Sequence, residues 1–162
     1  MNVISLRNAD LKDLETLLEF EQGVIEAERP LDPFLAQGEL FYYNIPELIS
    51  SQQIHFIVAI SNEKLVASGY LRLENSEHYH KNPEHGYIGF MYVKPSFRGQ
   101  RISNLILKSL KDWAKAKNLK ELRLDVYSNN TRAIKAYERF GFTKSLVNMR
   151  MDIQKEKWQN QF

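Results

Sequence analysis

The apolar positions of the chain recur with two periods, and the change from one to the other marks the elements. Residues 3 to 7 alternate as Val3-Ile4-Ser5-Leu6-Arg7 and predict a short strand. Asp10 is placed as an N-cap for a helix carrying Leu11, Leu14, Leu17 and Leu18 on one face. Residues 23 to 38 hold Gly23, Pro30, Pro33 and Gly38, so only short helical pieces are expected there. Phe41 to Ile49 reads as a further helical segment around Pro46. Two strands, Phe56 to Ile60 and Leu65 to Leu73, flank Ser61-Asn62-Glu63 and predict a hairpin. Residues 74 to 84 are polar and read as a surface loop. Tyr87 to Val93 is apolar at nearly every position, as in a strand covered on both faces. Ile102, Leu105, Ile106, Leu110 and Trp113 then return to helical spacing. The rest reads as a strand Leu122 to Tyr127, a helix Thr131 to Phe140 ended by Gly141, and a last strand Val147 to Ile153.

This order implies an α/β chain with a mixed sheet and helices on both faces. The length of 162 residues suits one domain, and no repeat or low-complexity linker divides it, so residues 1–162 are expected to form a single domain. Apolar residues are 43% and charged residues 26%, the values of an ordinary globular protein. No apolar run is long enough to cross a membrane, and Met1 to Arg7 does not resemble a secretory leader. A cytoplasmic protein with no membrane partner is the expectation. The net charge of +2 is too small to suggest nucleic acid. The densest basic stretch, Lys108 to Lys120, spreads its charges around a helix and includes Asp112. The chain has no cysteine, which excludes disulfides, thiolate metal sites and an acyl-cysteine intermediate. His78 and His80 lack further ligands at metal-binding spacing, so no metal is expected. Monomer and homodimer both stay open, and the tail with Trp158 is the one hint of a protein-interaction surface.

Two segments carry candidate chemistry. Val93-Lys94-Pro95-Ser96-Phe97-Arg98-Gly99-Gln100-Arg101-Ile102-Ser103 joins an apolar strand directly to an amphipathic helix. Such a turn aims unpaired N–H groups outward at the positive end of a helix dipole, which makes an anion site. It also reads as a plain strand-to-helix turn, with Gly99 for geometry and the arginines for solubility. Gly89, inside the preceding strand, marks either a close backbone approach or a crowded position. In the second segment Asn130 is placed as an N-cap and Gly141 as a left-handed C-terminal residue. Ala133, Tyr137 and Phe140 share one face of the helix between them. By itself Tyr137 reads as a core tyrosine with a satisfied hydroxyl.

Taken together, the two segments resemble the signatures of the GNAT superfamily of acetyl-CoA-dependent N-acetyltransferases. The first resembles the acyl-CoA signature, a Gln or Arg, two residues, Gly, one residue, then Gly or Ala. Arg98 fills its first place, while Arg101 and Ser103 stand where small residues are usual. The second resembles Asn, two residues, Ala, three residues, Tyr and a Gly-Phe pair, matched by Asn130, Ala133, Tyr137, Gly141 and Phe142. The resemblance covers about residues 3 to 152. It implies a mostly antiparallel sheet of six to seven strands with about four helices, the fourth and fifth strands splayed. It also implies acetyl-CoA as cosubstrate and an amine acceptor, small molecule or peptide. The cofactor would meet Met91, Tyr92 and Val93 on the strand, then Arg98, Gly99, Gln100, Arg101, Ile102 and Ser103 on the turn, and Asn130. Tyr137 would act on the leaving thiolate. Some members carry a glutamate early in the strand before the turn. Here Tyr87 matches that place, leaving Glu74, Glu84, His85 or water as the base. The stretch Glu26 to Phe34 matches the region over the acceptor, and its acidic and aromatic residues suit a cationic amine as well as an ordinary loop. A non-catalytic acyl-CoA-binding or sensor module of the same fold is the alternative.

Overall fold

A two-residue turn organises the sheet. Asn62 and Glu63 have φ of 49° and 62°, the left-handed pair that lets strands twist together across a tight hairpin. They join β2 (Ile54–Ser61) to β3 (Lys64–Asn75), which pair antiparallel from Ser61↔Lys64 to Ile54↔Arg72. β1 (Ile4–Asn8) adds antiparallel to β2, and β4 (Glu84–Val93) adds antiparallel to β3. β5 (Leu122–Arg123) lies parallel to β4, giving the order β1-β2-β3-β4-β5. A parallel neighbour needs a crossover, supplied here by α3 (Ile102–Ala116). The structure is a computed structural model that describes residues 3–154, so Trp158 lies outside the described residues. The chain falls into two units, residues 1–127 and 128–162.

In the first unit the two sheet faces are covered by different helices. A Cβ at Gly69 of β3 would lie 2.6 Å from Ile106 Cγ2, so this side faces α3. Its neighbour Tyr70 must point the other way, and it does, into a cluster with Leu17 and Phe20 of α1 (Leu14–Glu28), Ile45 and Leu48 of α2 (Ile45–Ser50), Phe56, Val58 and Phe90. Asp10 starts the first helical run, with its side chain accepting from Lys12 N at 2.7 Å and Asp13 accepting from Asp10 N at 2.9 Å. This capping box opens a 3-10 turn, Leu11–Asp13, that leads into α1. The second unit contains α4 (Thr131–Phe140).

Several sequence expectations need correcting. The sheet has five strands among the described residues, where six to seven were expected. The expected strand Leu122–Tyr127 is laddered only at Leu122 and Arg123, and no ladder with β4 continues beyond Tyr87↔Arg123 among the described residues. Val147–Ile153 forms no strand, for its alternating pattern finds no ladder partner among the described residues. Val147, Met149, Met151 and Ile153 are left exposed. The buried stripe of α1 is Leu17, Phe20, Glu21 and Ile25, while Leu11 and Leu18 are exposed. α1 also continues through Gly23 rather than stopping there. The Tyr92 ring lies against that position, with its Cε2 2.5 Å from where a Cβ would be, so glycine is kept for space.

Gly89 is a second case of space. A Cβ there would overlap the Tyr70 ring and hydroxyl. Gly89→Ala should therefore destabilise the fold by about 1–3 kcal/mol, the usual cost of overpacking. Urea unfolding checks this, and an unchanged midpoint would mean that Tyr70 moves aside without cost.

Candidate active site

β4 is bonded very differently on its two edges. Towards β3 it is paired from Glu84↔Asn75 to Val93↔Ala67, with one register shift. Towards β5 it is paired only at Gly86↔Leu122 and Tyr87↔Arg123. From Ile88 to Val93 this second edge has no ladder partner among the described residues. Backbone N–H and C=O groups are obligatory hydrogen-bonding groups, so the open edge is a place where an extended chain of amides can bind as an added strand. The strand is held rigidly from behind. Phe90 has φ of 52° at the register shift, and its carbonyl accepts from Ser68 Oγ at 3.0 Å. Tyr92 packs on Phe20 with ring centroids 4.7 Å apart, and Met91 Sδ lies beside Gly69. Met91 and Tyr92 thus use their side chains for packing, and their backbone edge away from β3 has no ladder partner among the described residues.

The open edge runs directly into the turn. A 3-10 segment, Pro95–Phe97, follows Lys94, and Arg98 Nε folds back to donate to Val93 O at 3.1 Å. Gly99 has φ of 83° with no heavy atom within 4 Å of a built Cβ, so here glycine serves conformation and not space. No acceptor among the described residues takes the N–H groups of Gly99, Gln100, Arg101, Ile102 or Ser103. The Ile102 side chain is 1% exposed and anchors the start of α3, so only its backbone is available. Five N–H groups at one helix start, beside Arg98 and Arg101, suit a phosphate-type anion.

Beyond Tyr87, the face of the sheet opposite α3 carries phenols and carboxylates. Tyr87 Oη donates to Asp125 Oδ2 at 3.2 Å, and Tyr127 Oη donates to Asp32 Oδ2 at 2.9 Å. Burial, then the neighbouring Asp125, push the Tyr87 phenol well above its usual range. Burial and the bond to Asp32 do the same for Tyr127. Tyr42 is pushed up to about 12 by burial and by its bond to Glu28. Burial raises the Glu28 carboxyl as well, opposed by the Tyr42 bond. Glu21, fully buried on α1, accepts from Tyr42 N at 2.6 Å and Tyr43 N at 2.7 Å and so ties that segment to the helix. The acidic stretch Glu26 to Phe34 is thereby joined to two tyrosines outside it.

The three side chains named as base candidates are differently placed. The Glu74 carboxylate is shared, accepting from Arg72 Nε at 2.8 Å and facing His85 Nε2 at 3.5 Å. His85 is 5% exposed, with Nδ1 2.9 Å from Ser76 Oγ. Burial, followed by Arg123, lowers its pKa below the usual histidine value. Glu84 is exposed at the start of β4, across from Asn75. The sequence reading included Asp32 in the stretch Glu26 to Phe34 but missed Asp125 and Tyr127. The alternation of Arg123, Asp125 and Tyr127 was the available signal, since it puts all three on one strand face.

In the second unit, Asn130 caps α4 by accepting from Ala133 N at 3.2 Å. Tyr137 is half-buried, with its ring edge-on to Phe142 at 5.9 Å. Gly141 ends the helix with φ of 117°, donating to the carbonyls of Tyr137 and Glu138. The structure thus gives the second signature the capped helix its spacing implies.

Residues 14–142 match the profile of the Acetyltransferase (GNAT) family. The chain belongs to the GNAT family. It is 28% identical over 131 residues to N-alpha-acetyltransferase 30 of Dictyostelium discoideum, covering 80% of this chain but only 64% of that relative's length. Among solved structures, a mutant of a Bacillus halodurans protein superposes with a TM-score of 0.84 at 21% identity, covering 92% of this chain and 99% of the other. A Clostridium acetobutylicum protein, described as a predicted acetyltransferase and solved with acetyl-CoA, superposes at 0.70 and 19% identity, covering 94% and 97%. These two show the shared fold.

The GNAT signature also explains the backbone at Arg101. This residue is the N-cap of α3 and sits in the left-handed region, φ 61° and ψ 20°, with no capping bond from its side chain. That conformation is why glycine is usual there, and it costs a residue with a Cβ about 1–2 kcal/mol. Glycine would recover that strain but lose about 0.4–1 kcal/mol through the greater freedom of the unfolded chain. Arg101→Gly should therefore raise stability by about 0.5–1 kcal/mol and leave CoA affinity within a few-fold. Thermal unfolding and CoA titration check both. A tenfold or greater loss of affinity would mean that the guanidinium grips phosphate.

Proposed function

We propose that residues 1–162 act as one N-acetyltransferase domain that moves the acetyl group of acetyl-CoA to a primary amine by direct attack. The observation carrying this reading is the continuity of the open β4 edge with the unpaired N–H groups of Gly99 to Ser103. The pantetheine amides would bond to the backbone of Met91 to Val93, and the pyrophosphate would sit on the turn between Arg98 and Ser103. Asn130 would border the cofactor in the role the family signature gives it. The kinship with an N-alpha-acetyltransferase supports an amine as acceptor. The phenols and carboxylates joined to Glu26–Phe34 support one that carries positive charge.

A lysine-type amine is neutral at pH 7 only about once in 10³, so the reaction needs a route for protons off nitrogen. It also needs stabilisation of the thiolate that leaves. Tyr137, matched to the family's tyrosine by spacing, takes that role in this reading. A phenol of pKa ~10 is a weaker acid than a thiol of ~8.5, so its main contribution is a hydrogen bond to the developing charge.

Free thiol released from acetyl-CoA across a panel of amines tests the activity directly. CoA at ~100 times its dissociation constant should stabilise the protein by about 2.7 kcal/mol. For a chain of this size that is a melting shift of roughly 5–10 °C. Tyr137→Phe should keep CoA affinity and lower kcat, by up to the ~10²–10⁴-fold typical of an acid group and by less if water replaces the hydroxyl. No melting shift with millimolar CoA would overturn the proposal. A Tyr137→Phe protein turning over at the wild-type rate, with chemistry rate-limiting, would leave Tyr137 a packing residue.

A further inference from the structure

The amine has to meet the acetyl group somewhere along β4, and the geometry of that strand says where. If the pyrophosphate occupies the turn after Val93, the pantetheine arm runs back along the open edge toward Ile88. The edge closes at Tyr87, where β5 pairs again. Val93 is six residue steps from Tyr87, about 20 Å of open edge, comparable to an extended pantetheine arm. The thioester therefore arrives close to the point where β4 and β5 part. What spans this point is the hydrogen bond from Tyr87 Oη to Asp125 Oδ2, 3.2 Å long. Asp125 lies two residues beyond Arg123, the strand partner of Tyr87, and its side chain is exposed to solvent.

The three carboxylate and imidazole candidates nearby do not offer the same thing. Glu74 is held by Arg72 and His85, and His85 is buried. Glu84 is exposed at the first residue of β4, across from Asn75, with no side-chain partner among the described residues to orient it. Tyr87 itself stays a proton donor, because its half-buried phenol lies beside a carboxylate. Asp125 is not part of any ion pair among the described residues. It joins a fixed orientation, set by the Tyr87 hydroxyl, to a second oxygen left over for another donor.

Resting on the reading above, we propose that Asp125 is the catalytic base that takes the proton from the acceptor nitrogen, with Tyr87 as its positioning residue. The neutral amine attacks the thioester carbonyl, so the C–N bond forms and the nitrogen becomes cationic. Asp125 accepts one proton from that nitrogen as the C–S bond breaks. The sulfur leaves with the bonding pair and takes up a proton, giving amide and free thiol. Asp125, open to solvent, then gives its proton to water. The carboxylate that some relatives carry on the strand before the turn is here supplied from the segment just past β5, with Tyr87 in the matching place. A carboxylate suits this step better than it would suit the resting ammonium. The nitrogen gives up its proton far more readily once the C–N bond has begun to form.

The test uses the full chain and the best amine from the panel, with acetyl-CoA saturating and kcat, KM and the CoA melting shift measured on every protein. Asp125→Asn, an exposed substitution of similar shape, should keep the melting shift and lose about 10²-fold or more in kcat. Tyr87→Phe should lose about tenfold, the worth of one hydrogen bond, mainly in kcat. Formate added to Asp125→Ala should restore part of the lost rate, because it supplies the missing carboxylate. Wild-type kcat in Asp125→Asn, or a loss that formate does not relieve, would overturn the assignment. If the wild type acetylates an amine in that same assay, the proposed activity stands whatever Asp125→Asn does. If the wild type binds CoA and releases no thiol with any amine, the activity and the base fall together.

Discussion

The half-paired state of β4 is the constraint on which the rest of the site depends. One edge is stitched to β3 over almost its whole length, and the other is paired at Gly86 and Tyr87 alone among the described residues. A strand with unpaired backbone groups stays in place only if its side chains hold it from both faces. Here they do, through Phe90 in the aromatic cluster, Tyr92 against Phe20 and Gly23, and Met91 beside Gly69. The glycines at 23, 69 and 89 are the counterpart of that packing. Each leaves room for a large side chain that immobilises the strand or its neighbour. Removal of side-chain volume at three places thus fixes a backbone edge at a fourth.

From that edge the chemistry follows in order along the chain. The strand leads into the turn without a linker, so the amides of the edge and the N–H groups of the turn form one continuous surface for a long, anionic, amide-bearing ligand. At the other end of the open edge the two strands rejoin, and this end is lined by phenols and carboxylates rather than by arginine alone. The turn carries Arg98 and Arg101, while the point of closure mixes the carboxylates of Glu74, Glu121 and Asp125 with the guanidinium groups of Arg72 and Arg123. In the proposed reading, acetyl-CoA would lie along this edge with its pyrophosphate at the turn and its thioester toward the point of closure.

The features that the sequence revealed are those decided locally. The hairpin at Asn62-Glu63, the cap at Asn130 and the left-handed Gly141 each depend on a few adjacent residues, and each is seen where the pattern put it. The departure at Arg101 was also legible, since the residue takes the left-handed conformation that makes glycine usual. What was misread depends on contacts across the fold. Gly23 looked like a helix breaker because the ring that fills its space belongs to Tyr92, far along the chain. Leu122–Tyr127 and Val147–Ile153 have the alternation of strands, yet a strand also needs a partner, and no alternation specifies one. The Tyr87–Asp125 bond was invisible for the same reason. It exists only because the parallel register sets Arg123 beside Tyr87 and so brings Asp125 within reach of the hydroxyl.

Hydrogen exchange of the backbone amides, with and without CoA, tests the central claim most directly. The account predicts new protection at the residues of 88–93 whose N–H groups face the open edge, and at Gly99 to Ser103 on the turn, with little change along the β3 side of the same strand. Binding of CoA, seen by a melting shift, without protection at either place would contradict it. The half-paired strand would then be a feature of the fold and not the seat of the cofactor.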